Sequence, residues 1–205
     1  MSVGAALALF VVAAGLLTIT PGLDTALVLR TAAVEGPRRA VLAALGISCG
    51  CLTWGLAVAL GLGALLAASQ TAYTVLKWAG AAYLAWLGIN LILRPRSTFD
   101  LATPSTRRGN WWLRGFLTNL LNPKIGVFYV SFLPQFVPAH VAAGPFIFLL
   151  AVIHVALGAP WTAVLIGATA PLKRWLSHAA VMRGLDRATG VVFLGFGARL
   201  ALERR

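Results

Sequence analysis

The sequence predicts an all-α polytopic membrane protein: six transmembrane helices as two inverted three-helix repeats, the first helix of each repeat broken at a proline. Three observations predict it. The 205 residues are 60% hydrophobic and 11% charged. A soluble domain of this length cannot bury so much apolar surface, and the apolar residues run in stretches of the roughly 20 that a bilayer-crossing helix needs. Arginine and lysine collect in alternate loops. Each half opens with an apolar stretch interrupted by a cap residue and a proline, Thr20-Pro21 and Asn122-Pro123.

The spans follow in order. The first covers residues 3–33 and is broken at Pro21. Its leading "MSVGAALALF" carries no positive charge, which reads as a permanent span and not a cleaved signal peptide. The uncharged run from Ala40 to Leu76 is too long for one helix, so it divides into spans 41–67 and 73–93 with a tight outer turn at Ser69-Gln70. The fourth span, 113–137, begins beside Trp111-Trp112, an aromatic pair suited to the membrane interface. The run from Ile125 to Leu172 is divided at "VPAHVAAGP", giving a fifth span at 144–169. The sixth, 186–203, is the shortest. Its uncharged centre runs only from Ala188 to Ala198, so Arg187 and Arg199 must snorkel. Five spans and a final interfacial helix is the alternative.

The charges set orientation. Loop one holds Arg30, Arg38, Arg39 and Glu35; loop three holds Arg94, Arg96, Arg107, Arg108 and Arg114; loop five holds Lys173, Arg174 and Arg183. The intervening loops have no Lys or Arg, although Lys77 lies just inside the third span. By the positive-inside rule the odd loops are cytoplasmic and the N-terminus is outside. Six spans put the C-terminus outside as well, with which Arg204-Arg205 agrees poorly. This placement accounts for the net charge of +12. No basic stripe interleaved with stacking aromatics points to nucleic acid. The single membrane domain, residues 1–205, is divided by the long cytoplasmic loop at 94–112 into repeats of about 3–93 and 113–203. Three spans per half is odd, so the halves are inverted. They echo faintly: "GLLTITPG" against "GFLTNLLNPK", and "GCLTWGLAVALG" against "GAPWTAVLIG". A helix-breaking proline in corresponding spans of two halves is the sequence pointer to a transporter binding site.

Thr20-Pro21 and Asn122-Pro123 share a grammar. Thr and Asn are N-cap residues, and proline suits the first helical position. Each pair reads as the start of a half-helix inside the bilayer. Its unpaired N–H groups are tolerated only against protein or a cavity, and they attract anions. Two such ends near the midplane would cradle a carboxylate. The competing reading of each is a plain proline kink. Asp24 follows Pro21 and is the one acid read as lying within the apolar body of a span; Asp186 reads as near an edge. Burying a charge there costs about 2.5–3.5 kcal/mol on insertion scales and marks a pathway or a relay. The alternative is an acid that serves the half-helix dipole. Lys124 is the natural counter-charge, or else it snorkels. The candidate substrate-binding residues are therefore Thr20, Pro21, Gly22, Asp24, Asn122, Pro123 and Lys124, and the candidates for proton coupling are Asp24 and His154. His154 reads equally as a helix–helix hydrogen bond. Asn90, Asn119 and Gln135 either line a path or cross-link helices, and Gly46 with Gly50 reads as close helix packing.

The residues exclude other classes by degrees. Cys49 and Cys51 are two positions apart on one helix, turned by roughly 200° from each other, and are poorly placed to bridge. That weighs against a membrane thiol-redox carrier. No cluster of His, Asp and Glu in the spans has ligand-like spacing, which weighs against a metal-ion exporter or a membrane enzyme; no metal, cofactor or catalytic residue is expected. Gly/Ala-rich spans are compatible with a homo-oligomer.

The stretches "TPGLDTALVLRTAAVEGPRRAVLAALGISCG", "WAGAAYLAWLG" and "GFLTNLLNPKIGVFYVSFLPQFV" resemble the lysine exporter and homoserine/threonine exporter family of bacteria (LysE/RhtB), over nearly the whole chain. Thr20, Pro21, Gly22 and Asp24 match the family's first motif, in which a second proline is usual where this chain has Leu23; Asn122, Pro123 and Lys124 match the second. The resemblance implies export of amino acids or close derivatives across the bacterial cytoplasmic membrane, driven by the proton motive force. The partners it implies are a small zwitterionic substrate and the lipid bilayer.

Overall fold

The computed structural model describes residues 1–68, 70–95, 109–169, 171 and 178–202. All the elements among them are helical. Helix α1 (Val3–Ile19) starts where the Ser2 hydroxyl accepts the Ala5 N–H at 3.3 Å. It is apolar on every face. Ala6, Phe10, Ala13, Ala14 and Leu17 are buried, while Leu9 and Val12 face outward. After a break, α2 (Leu23–Glu35) leaves at 51° to α1. Gly36, at φ +90°, then turns the chain into α3 (Pro37–Ala68). Only glycine takes that conformation without strain, and an Arg39–Glu35 ion pair closes the turn. Helix α4 spans Gln70–Leu93. The expected turn at Ser69-Gln70 falls on a junction whose Ser69 lies outside the described residues, as do Arg96, Arg107 and Arg108 of loop three, Lys173 and Arg174 of loop five, and Arg204-Arg205.

The second half opens with α5 (Trp111–Leu120), capped by the Asn110 side chain on the Leu113 N–H. The helix stops at Leu121 and restarts as α6 (Pro123–Val127), then widens to a π turn at Phe128–Phe132 and tightens to a 3-10 turn at Leu133–Phe136. Pro134 explains the change of pitch. It has no N–H to give, and its ring collides with the carbonyl four residues earlier, so the turn before it opens. Phe128, Phe132 and Phe136 pack with Phe10 of α1 at centroid distances of 4.7–6.3 Å and form the aromatic centre of the main core. Helices α7 (Ala143–Gly167) and α8 (Ala179–Leu202) complete the chain.

Among the described residues, Pro37–Gly61 and Ala143–Gly167 are each long and apolar enough to cross a membrane, and the bent pair α1–α2 makes a third. The helices cross at glycines. A Cβ on Gly46 would strike the Trp112 carbonyl oxygen, and one on Gly115 the Ala43 carbonyl oxygen, so α3 and α5 touch backbone to backbone. Gly88 of α4 and Gly190 of α8 meet reciprocally: a Cβ on either would lie 2.7 Å from the other's carbonyl oxygen. Small residues permit this approach, and in a bilayer close van der Waals packing is a main source of helix association.

Two expectations need correction. The last helix begins at Ala179, not near residue 186, and Asp186 is 0% exposed instead of lying at an edge. Arg183 broke the apolar run and hid the first turns of α8. Thr20 is not an N-cap, for the reason given below.

Candidate functional site

The first break shows what each residue of "TPGLD" does. Thr20 ends α1: its N–H and hydroxyl both return to the Leu16 carbonyl, at 3.0 and 2.7 Å. Because that hydroxyl proton is spent, the 2.5 Å contact between the Thr20 and Thr189 hydroxyls makes Thr189 of α8 the donor. Pro21 and Gly22 are non-helical, and Gly22, fully extended, is the N-cap of α2 without any side-chain cap. Leu23 is then the first helical position, and it carries an N–H where a proline would have none, so α2 begins with unpaired donors. Asp24 lies in that positive first turn.

The second break behaves as expected. The Asn122 side chain accepts the Lys124 N–H at 3.1 Å and Pro123 opens α6. The two breaks meet through Lys124. Its ammonium donates to the carbonyls of Thr20 (2.8 Å) and Leu17 (3.2 Å), at the negative end of α1. It also lies 3.6 Å from where a Cβ on Gly22 would be, and its charge acts on Asp24. Helix dipoles thus account for the sign of both charges.

They do not account for the carboxylate's partners. Asp24 Oδ2 accepts from Asn119 Nδ2 at 2.8 Å, whereas Oδ1 is buried with no partner. The Asn119 amide also donates to Cys51 Sγ at 3.3 Å. Gly50 makes room for this amide, since a Cβ there would press on Asn119. Beyond Cys51 lies the Tyr129 hydroxyl, 2.9 Å from His154 Nδ1, with Phe128 against the imidazole at 5.3 Å.

Asp24, Cys51, Lys124 and His154 line one cavity of about 100 Å³, behind which Asn119 and Tyr129 stand. Thr20, Gly22 and Asp24 line it from the first break, Asn122 and Lys124 from the second, Ser48 and Cys51 from α3, and His154, Gly158 and Trp161 from α7. Engineered cavities of about 150 Å³ take benzene, so the scale here is that of a small metabolite. An unpartnered carboxylate oxygen, an ammonium and an uncapped helix start offer complements to both charges of a zwitterion.

The structure brings together Thr20, Gly22, Asp24, Asn122, Lys124 and His154. Pro21 and Pro123 lie in the two breaks. Sequence reasoning ranked Asn119 low and missed Cys51, Tyr129 and Trp161. Asn119 stands one turn before Asn122, a spacing that could have signalled a shared face. Asn90 and Gln135, the other amides, bond back to their own helices, to Trp86 and Ser131. Cys49 and Cys51 are free; Cys51 is buried and Cys49 half-buried.

The family model for LysE type translocators matches residues 15–204. The homoserine/homoserine lactone efflux protein of Salmonella typhimurium is 33% identical over 92% of this chain and 92% of its own length. The threonine efflux protein of Salmonella typhi is 29% identical over 91% of this chain and 92% of its own. An uncharacterized membrane protein of Bacillus subtilis, YrhP, is 29% identical over 93% of this chain and 95% of its own. No solved structure matches significantly.

Proposed function

The chain belongs to the LysE type translocator family, and from that premise we propose a secondary transporter that exports amino acids or close derivatives across the bacterial cytoplasmic membrane, coupled to proton entry. The observation that carries the reading is one cavity lined from both helix breaks, with Asp24 and Lys124 among its lining residues. Efflux by two relatives bears their names and supports the direction. Asp24 takes the substrate ammonium. The start of α2, with Lys124, takes the carboxylate; the second helix start is already capped by Asn122 and serves by placing Lys124. Protonation of Asp24 from outside discharges the ammonium site and releases the substrate; the carboxyl then gives that proton to the cytoplasm as the next substrate binds, so one proton enters as one zwitterion leaves. His154 joins this site through Tyr129 and Cys51 and is the second candidate for proton transfer. The sequence and the site make a non-enzymatic carrier the consistent reading.

We propose six spans with the N-terminus outside. Helices α4 and α8 have 24 residues each, about 36 Å at 1.5 Å per residue, enough for a hydrocarbon core of roughly 30 Å. An inverted repeat relates spans one and four, two and five, and three and six. The contacts favour this pairing: the two breaks share the cavity, Gly55 of α3 packs on Ala151 of α7, and Gly88 and Gly190 meet reciprocally, as self-complementary contacts at a two-fold axis do. Reporters fused within residues 94–112 are expected to read cytoplasm and those near Gln70 outside. A cytoplasmic signal at Gln70 would remove both the orientation and the inverted repeat. Export itself is tested by following radiolabelled amino acids out of energised cells with and without the protein; equal rates for the whole amino-acid set would overturn it.

A further inference from the structure

We infer that α7 carries the side-chain subsite of this cavity, with Gly158 setting the size of substrate it admits and Trp161 offering the hydrogen bond that reads it. The inference rests on the export reading above and deepens it. The glycines at helix crossings all meet a neighbour within 3.0 Å of a would-be Cβ: Gly46, Gly50, Gly55, Gly88, Gly115, Gly126, Gly144 and Gly190. Gly158 does not. It lines the cavity, and a Cβ there would meet nothing within 4 Å. Gly4, Gly15, Gly61, Gly167, Gly184 and Gly195 also meet nothing within 4 Å, but of this open set only Gly158 lines the cavity.

The rest of the same helix face supports this. His154, Gly158, Trp161, Thr162 and Leu165 all line the cavity, at the spacing of one helical stripe. Trp161 Nε1 is buried and has no hydrogen-bond partner. An indole N–H can only donate, and a buried donor left unmade is costly. A short substrate side chain that carries an acceptor oxygen would fit beside Gly158, and a small turn of the Trp161 ring would bring its buried N–H to that oxygen. Asp24 and Lys124, on the opposite elements, hold the invariant ammonium and carboxylate and leave this face to discriminate.

The test uses the full-length protein in proteoliposomes and, in parallel, amino-acid-induced thermal shifts of the purified carrier. The probes are alanine, valine, threonine and leucine. Gly158→Ala, which favours the helix, is expected to lower the threonine-to-alanine transport ratio by about tenfold or more, the scale on which pockets discriminate a methylene. Gly158→Ser is expected to do the same, and Trp161→Phe to lower the threonine-to-valine ratio by about tenfold. Wild-type activity with unchanged ratios in all three variants overturns the subsite and spares the export reading. A wild type that neither binds nor moves any of the four probes overturns the subsite, and the export reading falls with it only when the whole amino-acid set also fails to move.

Discussion

Asp24→Asn is expected to insert and fold at wild-type yield yet lose proton-driven efflux. The amide is isosteric, and its oxygen can still accept from Asn119 Nδ2, which holds Asp24 Oδ2 at 2.8 Å. What disappears is the charge. A hydrogen bond to a charged group is worth about 1.5–3 kcal/mol, so substrate binding should weaken by roughly ten- to a hundredfold. The coupled step should fall further, because an amide cannot carry the proton. Substrate exchange without a gradient is expected to survive in part, at raised concentration. Preloaded vesicles with an imposed pH gradient provide the measurement. Efflux at the wild-type rate would leave Asp24 as a partner of the α2 dipole and nothing more. Adding Lys124→Gln should not restore transport, because it also removes the hydrogen bonds of Lys124 to the Thr20 and Leu17 carbonyls.

The second large effect is structural. Gly115→Ala places a methyl group on the Ala43 carbonyl, and Gly46→Ala places one on the Trp112 carbonyl. Both obstacles are backbone and cannot rotate away. The α3–α5 crossing must open, and with it the position of Asn119, which sits one turn beyond Gly115. Overpacking of this kind costs about 1–3 kcal/mol per site, and the double substitution is expected to collapse the yield of folded, detergent-extractable protein. Gly61→Ala is the comparison: a Cβ there meets nothing within 4 Å, and helix propensity favours it. Thermal melts of the three purified proteins decide the matter. Equal melting temperatures would mean that the crossing is not close packed.

The positions of several helices were legible because apolar run length is a local property: helix runs through 41–67 and 144–167 as expected. The breaks were legible too, since cap residues and prolines act on their immediate neighbours. The partition of roles within a break was not. Thr and Pro suggest an N-cap followed by N1, but Thr20 turns back to Leu16 and the helix restarts only past Gly22. A threonine hydroxyl can serve either helix end, and the choice depends on Thr189 and Lys124, both more than 100 residues away. Asp186 was misplaced because a charged residue near an arginine looks like a helix edge until α8 is seen to begin at Ala179. The unpartnered Trp161 was invisible because lack of a partner is a property of three dimensions.

The clasp of Lys124 on the carbonyls of Leu17 and Thr20 also has a temporal side. The two ends are separated by 107 and 104 residues, and ribosomes add roughly 5–20 residues per second. For about 5–20 s after α1 is made, its last carbonyls have no lysine to receive. A bare helix end in hydrocarbon is expensive, so the first half is expected to stay in protein or water-lined surroundings until the second half docks on it and Lys124 reaches the two carbonyls.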